Sequence, residues 1–446
     1  MIEASRRSTP QPSGQPAHRF GPWRPVVART CIDCGLCVDI CPEDVFFFDV
    51  GRRHLAAPRA EACVGPERCG LCVPTCPASA ITIEPSPTWA CLGDTYWTNA
   101  MIVSTWGAGA QGALYPEDLV TAGTSGAGFD RLGLVAPEGV PLPIPDSVSL
   151  RVPLHHRGRD VWIDFPLVMG LLRKPLRVAQ PQGRPPDAAL PLARAMAARA
   201  LGTLTAVTAD EWSPALLPYS ETLVCTLAEA GGIGGRGADV DETFLAHARA
   251  VALRYPSATA GSVGALDALR GRLDWLRAVA PEALLMVEIN PSADVAQVAA
   301  SAAHAGAHVI MLCVRHPIAS GAGMPLTHAI HAAHRHLLAE GLRDQVALIA
   351  GGGVRNPLDV LKAVALGADA AAIAAALVIA LGFAPTPRAG GWAGGPHTMD
   401  AAWAAQRMVN MALAWAVEQR RALALLGLAD VRALRGRTDL LAWVGA

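Results

Sequence analysis

The stretch that decides the N-terminal fold reads Cys31-Ile-Asp-Cys34-Gly-Leu-Cys37-Val-Asp-Ile-Cys41-Pro42. It matches the bacterial run C-x2-C-x2-C-x3-C-P at every position. Three thiolates spaced two residues apart on one tight loop can hold three corners of an iron–sulfur cube. The fourth cysteine, which precedes a proline, leaves that loop and ligates a neighbouring cube.

A second run repeats this pattern with one longer gap. It reads Cys63-(five residues)-Cys69-Gly-Leu-Cys72-Val-Pro-Thr-Cys76-Pro77. The two runs together predict a ferredoxin-like domain with two [4Fe–4S] clusters. Because the fourth cysteine of each run serves the other cluster, the predicted ligand sets are Cys31, Cys34, Cys37 and Cys76 for one, and Cys63, Cys69, Cys72 and Cys41 for the other.

Zinc and disulfides are the alternatives for a cysteine-rich segment. A zinc site takes four ligands in two C-x2-C pairs and needs neither a third cysteine in step nor a Cys-Pro end. Disulfides form in oxidising compartments, and Met1 to His18 lacks the apolar core of a secretory signal. We therefore expect reduced thiolates in a cytoplasmic protein, with residues 1–22 as a disordered Ser/Pro/Gln-rich tail.

The composition excludes two classes of partner. The 446 residues carry a formal net charge of -1, so no basic surface for nucleic acid or an anionic membrane is indicated. The apolar run Ala368 to Phe383 contains Asp369 and is too short for a membrane span. We expect a buried strand followed by a helix there, and no membrane span.

The pattern of apolar runs and amphipathic stretches in the rest of the sequence predicts an α/β fold. Residues 23–88 form the ferredoxin-like domain, residues 89–174 are interpreted as an extended linker that wraps one domain on another, and residues 385–446 as a C-terminal helical extension. Between them, residues 175–384 alternate short apolar runs with Ala-rich amphipathic stretches, which is typical of a (β/α)8 TIM-type barrel. The candidate strands are Leu176–Ala179, Leu204–Val207, Ala250–Arg254, Leu284–Ile289, Val309–Cys313, Val346–Ala350 and Ala370–Ile373, and the candidate helices include Ala188–Ala200, Val295–Ala305, Leu326–Glu340 and Pro357–Leu366.

One glycine-rich turn lies where a barrel would bind phosphate. The strand Val346–Ala350 runs into Gly351, Gly352 and Gly353, and a helix is predicted to begin near Pro357. Glycines let a backbone approach a phosphate, and barrels bind phosphate at the loops after strands seven and eight. A tight turn in a purely structural barrel would have the same composition.

From Gly341 to Gly382 the chain resembles the FMN-binding synthase region of glutamate synthase, and the resemblance returns in Leu434 to Leu441. It implies that electrons pass through iron–sulfur clusters to FMN for reduction of an imine formed from a 2-oxo acid. It also implies partners: an amidotransferase subunit, or an NAD(P)H or ferredoxin electron donor. The matching positions assign FMN to Gly351, Gly352, Gly353, Arg355, Ala374 and Ala375.

Some positions depart from the pattern of that family. Ala372 and Ala374 stand where the family has glycines, and Glu288 aligns with a lysine that supports the flavin ring. A carboxylate there would oppose the anionic reduced flavin. Arg315 and His316 are the candidate catalytic residues, because an arginine can hold a carboxylate and a histidine can move a proton.

Two other functions remain open at this point. The barrel of an electron-transfer or scaffold subunit could have lost its flavin, while the clusters pass electrons to a partner. The barrel could also bind a phosphorylated ligand other than FMN. Glu288, Ala372 and Ala374 favour the first alternative, whereas the glycines at 351–353 favour a retained phosphate site.

Overall fold

The computed structural model describes residues 21–49, 54–114, 127–154, 161–170, 189–227, 245–255, 263–314, 324–385, 392–396 and 399–444. The predicted strand Leu176–Ala179, the predicted tail up to residue 20, Arg315 and His316 lie outside these ranges.

The strands are β1 Trp23–Val27, β2 Ile81–Pro85, β3 Leu132–Leu134, β4 Val152–Leu154, β5 Val161–Ile163, β6 Leu167–Met169, β7 Thr205–Thr208, β8 Leu223–Leu227, β9 Ala250–Arg254, β10 Leu284–Ile289, β11 Val309–Cys313, β12 Ala347–Gly351, β13 Ala370–Ile373, β14 Phe383–Pro385, β15 Trp392–Gly394 and β16 Leu441–Trp443. The α-helices are α1 Leu36–Ile40, α2 Cys72–Thr75, α3 Pro87–Ala90, α4 Asn99–Gln111, α5 Leu190–Ala200, α6 Val263–Val279, α7 Val295–His304, α8 Leu326–Ala339, α9 Pro357–Ala365, α10 Ala375–Ala380 and α11 Ala401–Leu425.

Eight parallel strands, β6 to β13 in chain order, close into a barrel in which β13 pairs with β6. This confirms the predicted (β/α)8 class. Four of the predicted strands, β9, β10, β11 and β13, have the observed bounds, and two others are displaced by one residue. The apolar run from Ala368 is a strand followed by a helix, as expected.

Two barrel strands escaped the sequence analysis. Strand β6 lies inside the stretch 89–174 that was interpreted as a linker, and all three of its residues are buried. Strand β8 follows a connection made of 3-10 turns at Ala209–Glu211 and Pro214–Thr222. A short strand with every residue buried shows no alternation of apolar and polar side chains, so its sequence carries no strand period. In addition, no regular helix precedes β8, so the alternation of strands and helices that marks the other units is missing there.

Side chains alternate between the inside and the outside of the barrel because strand residues have a period of two. Val224, Ala252 and Met286 belong to the apolar cluster inside the barrel. Their neighbours Val251 and Val287 pack with the surrounding helices. The N-terminal end of the barrel is closed by the antiparallel pair β4–β5, whose buried side chains join the inner cluster.

The stretch after the cluster domain contains a regular helix, α4, and is not extended throughout. This helix packs on α10 and α11. A Cβ added to Gly109 would lie 2.7 Å from the carbonyl oxygen of Ala380, so the two helices touch at the backbone. Arg407 of α11 donates to the carbonyl oxygens of Ala380 (2.6 Å) and Trp106 (3.1 Å), which ties the three helices together.

None of the helices among the described residues has the length and apolar character needed to cross a membrane.

A buried ionic network fixes the N-terminal ends of the last barrel strands. Arg343 donates to Asp369 Oδ2 (2.8 Å), to the carbonyl oxygen of Val346 (2.9 Å) and to His334 Nδ1 (3.0 Å). Because Arg343 donates to Nδ1, this nitrogen carries no proton and the ring is neutral. Burial, with the adjacent Arg343 as a second cause, lowers the pKa of His334 to about 4.

This network predicts a loss of stability in acid. The folded pKa of His334 lies below its usual value, so the unfolded chain binds the extra proton between roughly pH 6.5 and 4. The free energy of unfolding should therefore fall by roughly 2 kcal/mol more between pH 7 and pH 5 than in the variant His334→Gln. Anaerobic urea unfolding followed by circular dichroism measures this difference. The exposed His304, replaced in the same way, is the control; equal pH dependence in wild type and His334→Gln would contradict the assignment.

Candidate functional site

The eight cysteines of the two runs line two cavities. One is lined by Cys31, Cys34, Cys37 and Cys76. The other is lined by Cys41, Cys63, Cys69 and Cys72. Each cavity thus takes three cysteines from one run and the fourth from the other, which is the grouping that the motif predicts.

Short helices and tight turns give the cysteines this arrangement. Helix α1 begins after Gly35, whose φ of 81° lets the loop reverse, and it carries Cys37. Helix α2 begins at Cys72. The strands β1 and β2 pair antiparallel from Trp23 with Pro85 to Val27 with Ile81, and they close the domain on itself.

The longer gap after Cys63 is absorbed by a turn. Gly65 has a φ of 84°, and a Cβ at this position would lie 2.1 Å from Trp23 Nε1. Cys69 N–H donates to the carbonyl oxygen of Gly65 (3.0 Å), which closes the turn. The gap of five residues, three more than the motif has, therefore packs against Trp23 through Gly65, and Cys63 still lines its cavity.

Backbone N–H groups point at several of the sulfurs. Ala80 N–H donates to Cys76 Sγ (3.2 Å), and Val45 N–H donates to Cys41 Sγ (3.4 Å). Hydrogen bonds to cluster sulfurs are one of the means by which proteins set the potential of a cluster. Burial, and next the proximity of Cys63, raises the pKa of Cys72 to about 11, so metal binding has to displace its proton.

A second group of polar residues lies inside the C-terminal mouth of the barrel. Arg254 and Glu288 are register partners at the ends of β9 and β10, and their side chains form an ion pair of 4.0 Å (Nε to Oε1). Both are largely buried. Cys313, Gly351 and Ala372 are neighbours across β11, β12 and β13, because a Cβ added to Gly351 would be 3.2 Å from Cys313 Sγ and 3.6 Å from Ala372 Cβ.

The glycine turn after β12 is required by the backbone itself. Gly352 and Gly353 have φ values of 87° and 80°. A Cβ on Gly352 would lie 2.6 Å from the carbonyl oxygen of Val314. Consecutive positive-φ residues next to a helix start form a concave backbone surface that suits an anion.

Buried charges lie directly behind this turn. Asp359 is fully buried between Arg355 (Nε to Oδ2, 3.7 Å) and Lys362 (Nζ to Oδ1, 3.7 Å). Lys362 also donates to the carbonyl oxygen of Phe129 (3.0 Å). Burial raises the pKa of Asp359 and lowers that of Lys362. Asp130 acts on both Asp359 and Lys362 as a further negative charge, so the four groups carry no formal net charge and the turn would attract an anion through its backbone N–H groups.

The second predicted phosphate position, at Ala374 and Ala375 after β13, differs from the glycine turn after β12. Ala374 caps α10 with φ −133° and ψ −55°, without a side-chain hydrogen bond, and α10 has six residues. The methyl groups of Ala372 and Ala374 lie within 3.8 Å of the position that a Cβ on Gly170 would take. The turn at Gly351–Gly353 therefore fits a phosphate, whereas the end of β13 offers only backbone groups.

Sequence reasoning did not identify Arg254. Its position became meaningful only through its register pairing with Glu288. A signal was present, since an arginine closing an otherwise apolar strand is unusual.

Two family models match the chain. Residues 264–386 match the conserved region in glutamate synthase, and residues 30–80 match the 4Fe–4S dicluster domain. Both matches lie where the structure has the barrel and the cysteine cavities.

Curated relatives agree with these matches. The archaeal glutamate synthase [NADPH] of Methanocaldococcus jannaschii is 38% identical over 133 residues, 28% of this chain and 26% of the relative. The archaeal-type glutamate synthase [NADPH] of Thermotoga maritima is 33% identical over 177 residues, 36% of this chain and 35% of the relative. The chloroplastic ferredoxin-dependent glutamate synthase of Oryza sativa subsp. japonica is 31% identical over 189 residues, 37% of this chain and 11% of the relative.

The matches to the archaeal and Thermotoga proteins thus span between a quarter and about a third of the length of these relatives. The chain thus combines a 4Fe–4S dicluster domain with a later region that matches the conserved region in glutamate synthase. It resembles the archaeal and archaeal-type glutamate synthases and has diverged from them.

Proposed function

We propose that the chain is an iron–sulfur flavoprotein oxidoreductase that reduces an imine or a related substrate derived from a 2-oxo acid. The observation that carries the proposal is the combination of two four-cysteine cavities with an anion-fitting glycine turn in one chain. Clusters held by the eight cysteines would supply one-electron transfer, and FMN would supply hydride transfer.

The residues of the barrel have distinct roles in this proposal. The backbone of Gly351, Gly352 and Gly353 would hold the FMN phosphate. Arg355 lies buried behind that turn and adds positive charge. Ala374 and Ala375 would contribute backbone N–H groups from the other side.

Arg254 offsets the negative charge that Glu288 places at the barrel mouth. A lone buried carboxylate at the mouth would oppose negative charge on the flavin. The register partner Arg254 brings a cation to the same layer, so the pair adds no net charge. We propose that Arg254 takes the place of the family's lysine beside the flavin ring, and that Glu288 holds it there.

Substrate contacts are proposed for the loop that follows β11. Arg315 would bind a substrate carboxylate as a bidentate pair, and His316 would transfer a proton. In the sequence both come shortly after Cys313, the last residue of β11, and barrels place their catalytic residues after the C-terminal ends of their strands.

The electron donor and the ammonia source belong to the proposal as well. The names of the relatives specify NADPH for some and ferredoxin for another. We propose that this chain works in the cytoplasm, takes electrons from an NAD(P)H-linked or ferredoxin donor, and obtains ammonia through an amidotransferase subunit.

A second candidate is an electron-transfer or scaffold subunit whose barrel binds no flavin. The alanines at 372 and 374 favour it, because a methyl group resists the backbone conformations that glycine allows. The visible spectrum of anaerobically purified protein incubated with FMN separates the candidates. Flavin bands beside the cluster absorbance support the flavoprotein, and their absence from iron-loaded protein supports the electron-transfer subunit.

If the turn at Gly351–Gly353 holds the FMN phosphate, Gly353→Ala should weaken FMN binding by about tenfold. An L residue at positive φ costs roughly 1 kcal/mol or more, and it shifts the turn. Quenching of FMN fluorescence measures the affinity. The matched control is Gly341→Ala, because Gly341 also has a positive φ (67°) but a Cβ there meets no atom within 4 Å. Equal FMN affinity in the two variants would mean that the turn does not hold the phosphate.

The cavity grouping predicts which cysteines share a cluster. Wild type should hold about eight irons per chain, and Cys76→Ala should lose about four. The cluster lost should be the one that Cys31→Ala also removes, and electron paramagnetic resonance of reduced protein identifies the survivor. Cys91→Ala is the control, because Cys91 is exposed and lines neither cavity. If Cys76→Ala instead removed the cluster lost in Cys69→Ala, the crossed grouping would be wrong.

A further inference from the structure

An exposed apolar surface lies beside one of the two cysteine cavities. Leu36 and Ile40 lie one turn apart on α1 and share one face of that helix. Ile32 lines the same cavity as Leu36, and the ring of Phe48 lies 3.0 Å from the position that a Cβ on Gly35 would take. Between 38% and 65% of each of the four apolar side chains is exposed. We call these four side chains the α1 face; exposed apolar groups of this kind mark interaction sites.

The cavity beside the α1 face is also the one that brings a cysteine to the surface. Cys34 lines this cavity, which we call the first cavity, and is exposed. The cysteines of the other cavity, the second cavity, are each buried or partly buried, namely Cys41, Cys63, Cys69 and Cys72. Electron transfer between proteins weakens steeply with the distance between their redox groups. A carrier protein that rests on the α1 face therefore approaches a cluster of the first cavity more closely than one of the second.

The two cysteine runs differ in charge. Residues 30–51 contain five acidic residues and no lysine, arginine or histidine, whereas residues 60–80 contain two glutamates and one arginine. Asp39 and Glu43 are exposed on α1 and directly after it, and Arg29 is exposed just before the first run. Thiolate ligands add further negative charge when a cluster is bound. The α1 face therefore has an apolar centre and a predominantly acidic rim.

The second cavity lies toward the point where the chain leaves the cluster domain for the barrel. Ile81, at the start of β2, lines the first cavity, and Ile83 lines the second. The far end of the β1–β2 ladder pairs Trp23 with Pro85, and Trp23 packs on Gly65 of the second cavity. Helix α3 follows directly, and α4 leads on to the barrel. Along β2 the first cavity is therefore the distal one and the second is proximal to the exit.

We propose that the α1 face is the docking surface for the electron donor, and that the donor is a one-electron carrier protein or domain whose redox group is surrounded by basic residues. This inference rests on the proposed function and names the partner that its clusters meet. The donor loses one electron, which passes to the cluster of the first cavity and then to that of the second. Opposite charges on the two rims speed the encounter, and a small apolar centre suits a transient redox interface.

The test uses mitochondrial cytochrome c, a basic one-electron haem protein, as the probe, and it requires no flavin. The iron-loaded full chain is reduced with dithionite under anaerobic conditions and freed of the excess. Stopped-flow mixing then gives the second-order rate constant for reduction of the haem, which takes one electron from each reduced cluster. Biolayer interferometry on immobilised cytochrome c measures binding of the unreduced protein separately.

Two pairs of matched variants locate the docking surface. Asp39→Lys should lower the rate constant and the affinity about fourfold at low ionic strength, and the effect should shrink in high salt. Its control is Glu67→Lys, an exposed acidic residue of the second run. Ile40→Ser should lower both values about threefold at any ionic strength. Its control is Val73→Ser, because Ile40 and Val73 are both 39% exposed. Iron content and thermal unfolding establish that all four variants fold.

The outcomes separate this inference from the proposed function. Equal effects within each pair overturn the docking surface, and larger effects at Glu67 and Val73 place docking at the second cavity and reverse the order. If sedimentation shows that Ile40→Ser dissociates a dimer while the rate constant stays unchanged, a second copy of the chain covers the α1 face and the inference fails. A wild type that reduces cytochrome c as expected but binds no FMN overturns the flavoprotein alone.

Discussion

The buried guanidinium of Arg355 is the contact on which the candidate site depends. It joins the carbonyl oxygen of Tyr96, from the segment that leaves the cluster domain, to Asp359 in the first turn of α9. A cation this deep in the core is tolerated only with such partners, because an unpaired buried charge costs several kcal/mol. Arg355 follows the glycine turn by two residues, so its contacts hold the exit of the cluster domain close to that turn.

Local motifs carried most of what the sequence could predict. The cysteine grouping followed from spacing alone, because the Cys-Pro ends of both runs already specify a crossing between the two halves. The strands β9, β10, β11 and β13 were equally readable, since each is an apolar run between amphipathic stretches. In contrast, β6 has three buried residues and β8 follows 3-10 turns, so neither produces a periodic pattern.

Contacts between distant parts of the chain could not be predicted in this way. The hydrogen bond from Arg355 to Tyr96 spans 259 residues, and no spacing rule connects the two. The pair Arg254 and Glu288 illustrates the same limit across adjacent strands. Taken alone, Glu288 indicates a lost cation, whereas its register partner Arg254 supplies a cation on the neighbouring strand. A substitution in a barrel mouth therefore has to be judged with its register partner.

Ala372 and Ala374, at the end of β13, also have to be considered together with their neighbours on the paired strand. Their methyl groups lie against Gly170, which follows β6 at the seam where the barrel closes. A Cβ on Gly170 would lie 3.4 Å from the carbonyl oxygen of Ile373 and 3.8 Å from each methyl group, which is ordinary van der Waals contact. The methyl groups of Ala372 and Ala374 therefore pack at the seam without crowding it. Neither alanine belongs to the turn at Gly351–Gly353, where Gly352 and Gly353 keep their positive φ values. The two departures at β13 and the glycine turn after β12 are therefore separate features of the barrel mouth, and an anion at the turn would depend on the backbone N–H groups beside β12.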